Sequence, residues 1–214
     1  MPLDENTGNV TVVKLGGSLA QTPQCTAWLD ALIAWGGPLV LVPGGGPFAD
    51  CVREAQAVMG FDDAAAHRMA LLAMEQFGIA LAARARVFAL AASIDDLGRM
   101  LRAGKIPIWL PAKMVLAAPD VPESWEMTSD SLAAWLAGIY GARRLLLIKS
   151  CDLQAPVSAA ELAAAKIADP MFPHYAAQSR AEIALAGPAA LSNAVRLLQN
   201  GHMPGTRIAV PAIV

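Results

Sequence analysis

The sequence predicts a layered α/β fold with a mainly parallel central sheet, and three observations carry that expectation. Hydrophobic residues make up 56% of the chain and charged residues only 16%, so most helices must be covered on more than one side. That suits helices packed on a sheet better than a bundle with wet faces. Short apolar runs alternate with longer helical patterns, the βαβ rhythm of parallel strands. Two of the apolar runs also end in glycine loops, at Gly16-Gly17 and at Gly44-Gly45-Gly46, as strands of such sheets do where they meet a ligand.

In order, Val10 to Leu15 reads as a buried strand that carries Lys14 to the Gly16-Gly17-Ser18 turn, a geometry suited to cradling an anion. It is not a Walker A loop, because the lysine precedes the glycines. A helix opens at Thr22-Pro23, carries Trp28, Leu29, Leu32, Ile33 and Trp35, and stops at Gly36-Gly37. Pro38 to Val42 is the next strand, followed by the triple-glycine loop and a helix over about 48–59. A turn needs one or two glycines, so the third implies that something approaches the backbone closely. A long helix runs over 62–83, with Asp62 as cap and His67 along it. His67 reads more readily as a satisfied helical histidine than as a base.

Segments 86–92 and 105–110 read as strands on either side of a helix capped by Ser93 with Asp95 and Asp96 in its first turn. Pro111 to Met127 is the one long irregular segment, of a length that in compact domains is usually functional. It leads to Thr128-Ser129-Asp130-Ser131 and a helix over 132–140, with Thr128 or Ser129 able to cap and Asp130 in the first turn. Arg144 to Ile148 is a strongly apolar strand that delivers Lys149, with Asp152 three residues on. Lysine is costly to bury unpaired, so both strand-end lysines are expected to meet an anion or a carboxylate. The chain finishes with a helix over 159–165, a connection through Pro170 and Pro173, a helix over 188–199, and a strand over 207–210.

Composition excludes some functions. A net charge of -2 with scattered arginines gives no basic stripe for nucleic acid. No apolar run approaches the roughly 20 residues of a spanning helix, and the start of the sequence, with Asp4 and Glu5, lacks the pattern of an export signal. Cys25, Cys51 and Cys151 suggest neither a disulfide framework nor a zinc site, and no metal ligands are assigned. A soluble, cytoplasmic protein is expected, and the high apolar fraction suggests a homodimer or higher homo-oligomer.

Taken together, Lys14-Leu15-Gly16-Gly17-Ser18, Gly44-Gly45-Gly46, Thr128-Ser129-Asp130-Ser131, Lys149-Ser150-Cys151-Asp152 and Gly205-Thr206 resemble, in order and spacing, the motifs of the amino acid kinase superfamily. The resemblance covers nearly the whole chain. It implies a three-layer αβα sandwich forming one domain over 1–214, with an acceptor-binding part to about 127 and a nucleotide-binding part beyond. Three further stretches, around His67, from Trp109 to Lys113, and from Ser124 to Asp130, look most like the small kinases of methanofuran-type C1-carrier cofactor synthesis, which phosphorylate an aminomethylfuran phosphate.

Carried over to these positions, the resemblance implies ATP and Mg2+ as co-substrate and metal, with Lys14 neutralising charge on the phosphoryl group, Asp130 orienting the lysines, and Lys149 a catalytic residue only if it serves as the second cation. Gly16, Gly17, Ser18, Lys149 and Asp152 would serve the nucleotide. Gly44, Gly45, Gly46, Arg53, His67, Lys113 and Thr128 would serve a small phosphorylated acceptor. Trp109 and Trp125 are expected to supply flat side chains for the acceptor's ring, and Asp120, Glu123 or Glu126 to pair with its ammonium. The chain also departs from the family pattern. Relatives carry a Gly-Gly-Met segment and a second catalytic lysine where this chain reads Ala177 to Glu182, no lysine follows Lys166, and Leu153 stands where most relatives have glycine. These departures leave a nucleotide- or oxoanion-binding storage protein, or a non-catalytic subunit, as alternatives to a kinase.

Overall fold

The computed structural model describes residues 9–210; the acidic start with Asp4 and Glu5 lies outside them. Strand β1 (Thr11–Leu15) sits near the centre of an eight-stranded sheet, hydrogen-bonded in parallel register to β2 (Leu39–Pro43) on one side and to β5 (Arg144–Ile148) on the other. Beyond β2 come β4 (Ile106–Trp109) and β3 (Phe88–Ala91), both parallel. Beyond β5 come β7 (Glu182–Ala186), β8 (Thr206–Ala209) and the two-residue β6 (Val157–Ser158). Strand β8 runs antiparallel to β7, and β6 runs parallel to β8, so these two edge strands oppose the other six.

Every residue of β1 and β2 is buried, which is why these strands are almost continuously apolar rather than alternating. Alternation reappears in what each residue touches. Val12, Val40, Val42, Leu145 and Leu147 belong to one core with α6 (Ser129–Tyr140) and α8 (Phe172–Ser179). Val13, Leu15, Leu39, Leu41, Leu146 and Ile148 belong to the opposite core with α1 (Pro23–Trp35) and α9 (Leu191–Gln199). The long α3 (Asp63–Ala82) feeds both, through Leu71 and Met74 on one side and Phe77 and Leu81 on the other. Helices therefore cover both faces of a mainly parallel sheet.

Several caps fall where expected: Asp62 accepts from the Ala65 N–H at 2.8 Å and Ser93 from Asp96 at 3.1 Å. Helices α2 (Gly46–Met59), α4 (Ile94–Arg102) and α7 (Ala159–Ala164) match the sequence reading within a few residues. The segment over 111–127 contains one short helical turn, α5 (Ala112–Val115). Two elements correct the reading of the last third. The proline-rich connection is in part helix α8, because Pro173 falls in its first turn, where its missing N–H costs nothing. Strand β7 was not anticipated. Its Glu-Ile-Ala-Leu-Ala sequence carries no strand preference, and its state is set by pairing with β5 and β8.

Candidate active site

The period of β1 decides where Lys14 points. Lys14 is two residues from Val12, so it faces the layer that holds α6, and at the carboxyl end of the strand it meets the first turn of that helix. Lys149 follows β5 with the same parity as Leu147 and faces the same way. Between them lies Asp130: Lys14 Nζ is 2.8 Å from Oδ1 and Lys149 Nζ is 2.5 Å from Oδ2. Lys149 also donates to the Ile167 carbonyl at 2.7 Å. The Lys14 contact is a charge pair without a well-directed hydrogen bond, which leaves Oδ1 short of an aligned donor.

Both members of the first pair are almost fully buried, Lys14 and Asp130 each being 4% exposed. Burial lowers the Lys14 ammonium from 10.5 to about 8, with Asp130 opposing that shift and Lys149 adding to it. Burial pushes the Asp130 carboxyl up, and the two lysines together overcome it and hold the group below the usual carboxylate range. The centre is thus two cations around one ionised carboxylate, with one net positive charge.

Two glycine loops close over it. A Cβ on Gly17 would lie 2.5 Å from the Gly46 nitrogen, and one on Gly44 would lie 2.4 Å from the Gly17 nitrogen. The close approach that the third glycine implied is therefore, at least in part, loop on loop. Gly16 is packed against the end of β5, its N–H donating to the Ile148 carbonyl at 2.9 Å. Ser18 reaches across to the Ser150 hydroxyl at 3.2 Å.

These residues open onto a cleft of about 670 Å³, lined among others by Lys14, Gly16, Gly17, Ser18, Gly45 and Gly46, and further by Arg53, His67, Thr128, Asp130 and Lys149. Gly44, Lys113 and Asp152 do not line it. Gly44 supports the loop from behind, Lys113 is exposed on α5, and the Asp152 carboxylate accepts the Ala189 N–H at 3.1 Å.

At the cleft's far end Arg53 stacks on the Trp125 ring, 4.5 Å from its centroid, and Trp125 Nε1–H donates to Gln56 at 2.7 Å. Trp109 corrects the expectation that it offers a flat face to the acceptor's ring, being fully buried and packed on Trp135 with centroids 6.1 Å apart. The acids expected to meet an ammonium are elsewhere too. Asp120 accepts from Trp135, Glu123 pairs with Arg68, and neither they nor Glu126 line the cleft. His67 is buried with Nε2 lacking a partner, and burial lowers its pKa against the opposing influence of the Ser124 backbone.

Sequence reasoning missed two cleft residues. Asp169 accepts from the backbone N–H groups of Thr128 at 3.0 Å and Ser131 at 3.1 Å. It does the capping expected of Thr128 or Ser129, since Thr128 makes no side-chain cap bond. Lys166 also lines the cleft, on the turn after α7. Its signal was present in the sequence as a lysine between two alanine-rich segments, but nothing local tied it to Lys14. Among the described residues no three His, Cys, Asp or Glu side chains cluster as a metal site, and no helix is long and apolar enough to cross a membrane.

A lysine–aspartate–lysine centre at the carboxyl edge of a mainly parallel sheet, sharing one cleft with two glycine loops, belongs to an α/β protein with helices on both faces of its sheet. Residues 9–152 match the amino acid kinase family, and the chain belongs to that family. A curated relative, the [5-(aminomethyl)furan-3-yl]methyl phosphate kinase of Methanocaldococcus jannaschii, is 30% identical over 145 residues, 66% of each chain, so the match spans just under two thirds of that relative's length. Solved structures share the fold. The uridylate kinase of Archaeoglobus fulgidus superposes with a TM-score of 0.71 at 15% identity, covering 93% of this chain and 99% of that one. The aspartate kinase of Synechocystis gives 0.66 at 16% identity, covering 95% of this chain and 40% of that one.

Proposed function

We propose that the protein is an ATP-dependent small-molecule kinase acting on a small phosphorylated acceptor such as aminomethylfuran phosphate, in methanofuran-type cofactor synthesis. The observation that carries this reading is the pair of lysines held by Asp130 on the cleft, in a chain whose curated relative bears that activity in its name. In the reaction a phosphate oxygen of the acceptor attacks the γ-phosphorus of ATP, the bond to the β-phosphate oxygen breaks, and ADP leaves. Such transfers need positioning and charge stabilisation more than covalent help.

Lys14 and Lys149 stabilise charge on the equatorial and leaving oxygens, and the Gly16-Gly17 loop holds the nucleotide phosphates. Asp130 is occupied by both lysines, so it orients them and removes no proton. None is needed, because a phosphate monoester is already largely ionised near neutral pH. Magnesium brought in with the nucleotide would supply further charge neutralisation at the phosphates. The loop at Gly45-Gly46 with Arg53 supports an acceptor phosphate, and Trp125 offers one aromatic face for its ring. His67 lines the same cleft, with its Nε2 buried and without a hydrogen-bond partner.

An exposed apolar stripe on α3, formed by Met69, Leu72 and Ile79, supports a homodimer. The kinase reading is tested by ADP release with magnesium ATP and aminomethylfuran phosphate, uridylate or isopentenyl phosphate as acceptor. Release with the first at more than tenfold the efficiency of the others is expected. Binding of magnesium ATP without ADP release on any acceptor would leave the storage-type alternative in its place.

A further inference from the structure

We propose that Lys166 is a third lysine of the phosphoryl site, contacting the phosphate oxygens of the nucleotide. This rests on the kinase reading only for its consequence in turnover; the contact itself concerns phosphate binding. Lys14 and Lys149 share one aspartate, and the cleft's Arg53 is paired with Asp50 at 2.9 Å. Lys166 is exposed on the same cleft and has no ion-pair or hydrogen-bond partner for its ammonium among the described residues. Among the described residues it is the one cation of the cleft left free to meet an incoming polyanion.

Its backbone is built for the task. Lys166 has φ +56°, a left-handed conformation in which glycine is the usual residue. The turn is closed on both sides, Lys166 N–H donating to the Ala163 carbonyl at 3.0 Å and Ile167 N–H to the Leu162 carbonyl at 2.9 Å. That is the double bond of a Schellman turn, which fixes the direction in which the side chain leaves. The next carbonyl, Ile167, holds Lys149, and Asp169 two residues further caps α6 beside Asp130. One turn thus ties Lys166 to Lys149 and to the helix carrying Asp130. A lysine kept where glycine is more comfortable, on the segment that organises the centre, is the pattern of a functional side chain held at a conformational cost.

The experiment compares Lys166→Gly and Lys166→Arg with the wild type in the full-length protein. Glycine accepts the left-handed turn, so the melting temperature of Lys166→Gly should stay level or rise. Its affinity for magnesium ATP, measured by calorimetry without acceptor, should fall about tenfold, with a weaker dependence on salt. Lys166→Arg should recover most of the affinity, and turnover should fall in Lys166→Gly by at least about tenfold. Magnesium ATP binding by Lys166→Gly within twofold of the wild type, with the same salt dependence, would overturn the proposal, as would a wild type that does not bind magnesium ATP. A wild type that binds but releases no ADP would sink the kinase reading, while the calorimetry would still decide for or against Lys166.

Discussion

Asp130→Asn keeps the shape of the side chain and removes the negative charge between the buried Lys14 ammonium, 2.8 Å away, and the partly buried Lys149 ammonium, 2.5 Å away. Deleting one partner of a buried pair generally costs about 3–5 kcal/mol. Here the fold has an escape, because Lys14 already titrates at about 8 through burial, with Asp130 its main support against a further fall. Without the carboxylate it drops lower, and the variant sheds the Lys14 proton near neutral pH. In the wild type, removing that proton at about pH 7 costs about 1.4 kcal/mol, one tenfold step. That value caps the Lys14 share of the loss.

The sign follows from proton counts. The folded wild type releases the Lys14 proton near 8 and the unfolded chain holds it to 10.5. The unfolded state therefore binds more protons in that window, and wild-type stability gains with rising pH there. The variant's gain begins at lower pH. The stability gap between the two, from urea unfolding, should therefore shrink by about 1 kcal/mol between about pH 7 and about pH 9. The remainder is the Lys149 share, and phosphoryl transfer should be lost at both values. A gap that is equal or wider at the higher pH would refute the coupling of Lys14 to Asp130.

Three further outcomes are expected. Lys14→Ala should still fold, at reduced stability, because Asp130 keeps Lys149 as a partner, and should lose at least about two orders of magnitude in turnover, read as ADP release; near-normal turnover would remove Lys14 from the mechanism. Gly17→Ala places a methyl 2.5 Å from the Gly46 nitrogen, backbone against backbone, and should cost roughly 1–3 kcal/mol in unfolding free energy together with weaker magnesium ATP binding. Wild-type values for both would show that the two loops part freely. Asp169→Ala strips the acceptor from the Thr128 and Ser131 N–H groups and should lower stability by roughly 1–3 kcal/mol. An unchanged melting temperature would mean that α6 is capped in some other way.

Much of the fold was legible because its central strands are local statements. Runs such as Val-Val-Lys-Leu and Leu-Leu-Leu-Ile, bounded by glycine or lysine, can hardly be anything but doubly covered strands, and the caps at Asp62 and Ser93 are short-range chemistry. Lys14, Lys149 and Asp130 were legible for a related reason: a charge at the end of a buried run, or in the first turn of an apolar helix, demands a partner. The sequence alone could say that each needed one. The family resemblance implied that Asp130 orients the lysines, and the tertiary structure shows how they meet, because strand parity turns both lysines to the face where α6 begins. Strand β7 and the antiparallel direction of β8 were out of reach, since both come from hydrogen bonds to neighbours distant in the chain, although the strand over 207–210 was itself legible. The same holds for Trp109, which the core claimed, for Asp169, which caps a helix that starts 40 residues earlier, and for Lys166, whose role depends on which cleft its turn borders. Local preference sets which segments are strands and helices, whereas which side chains share a cavity is settled by contacts the chain makes only once it is folded.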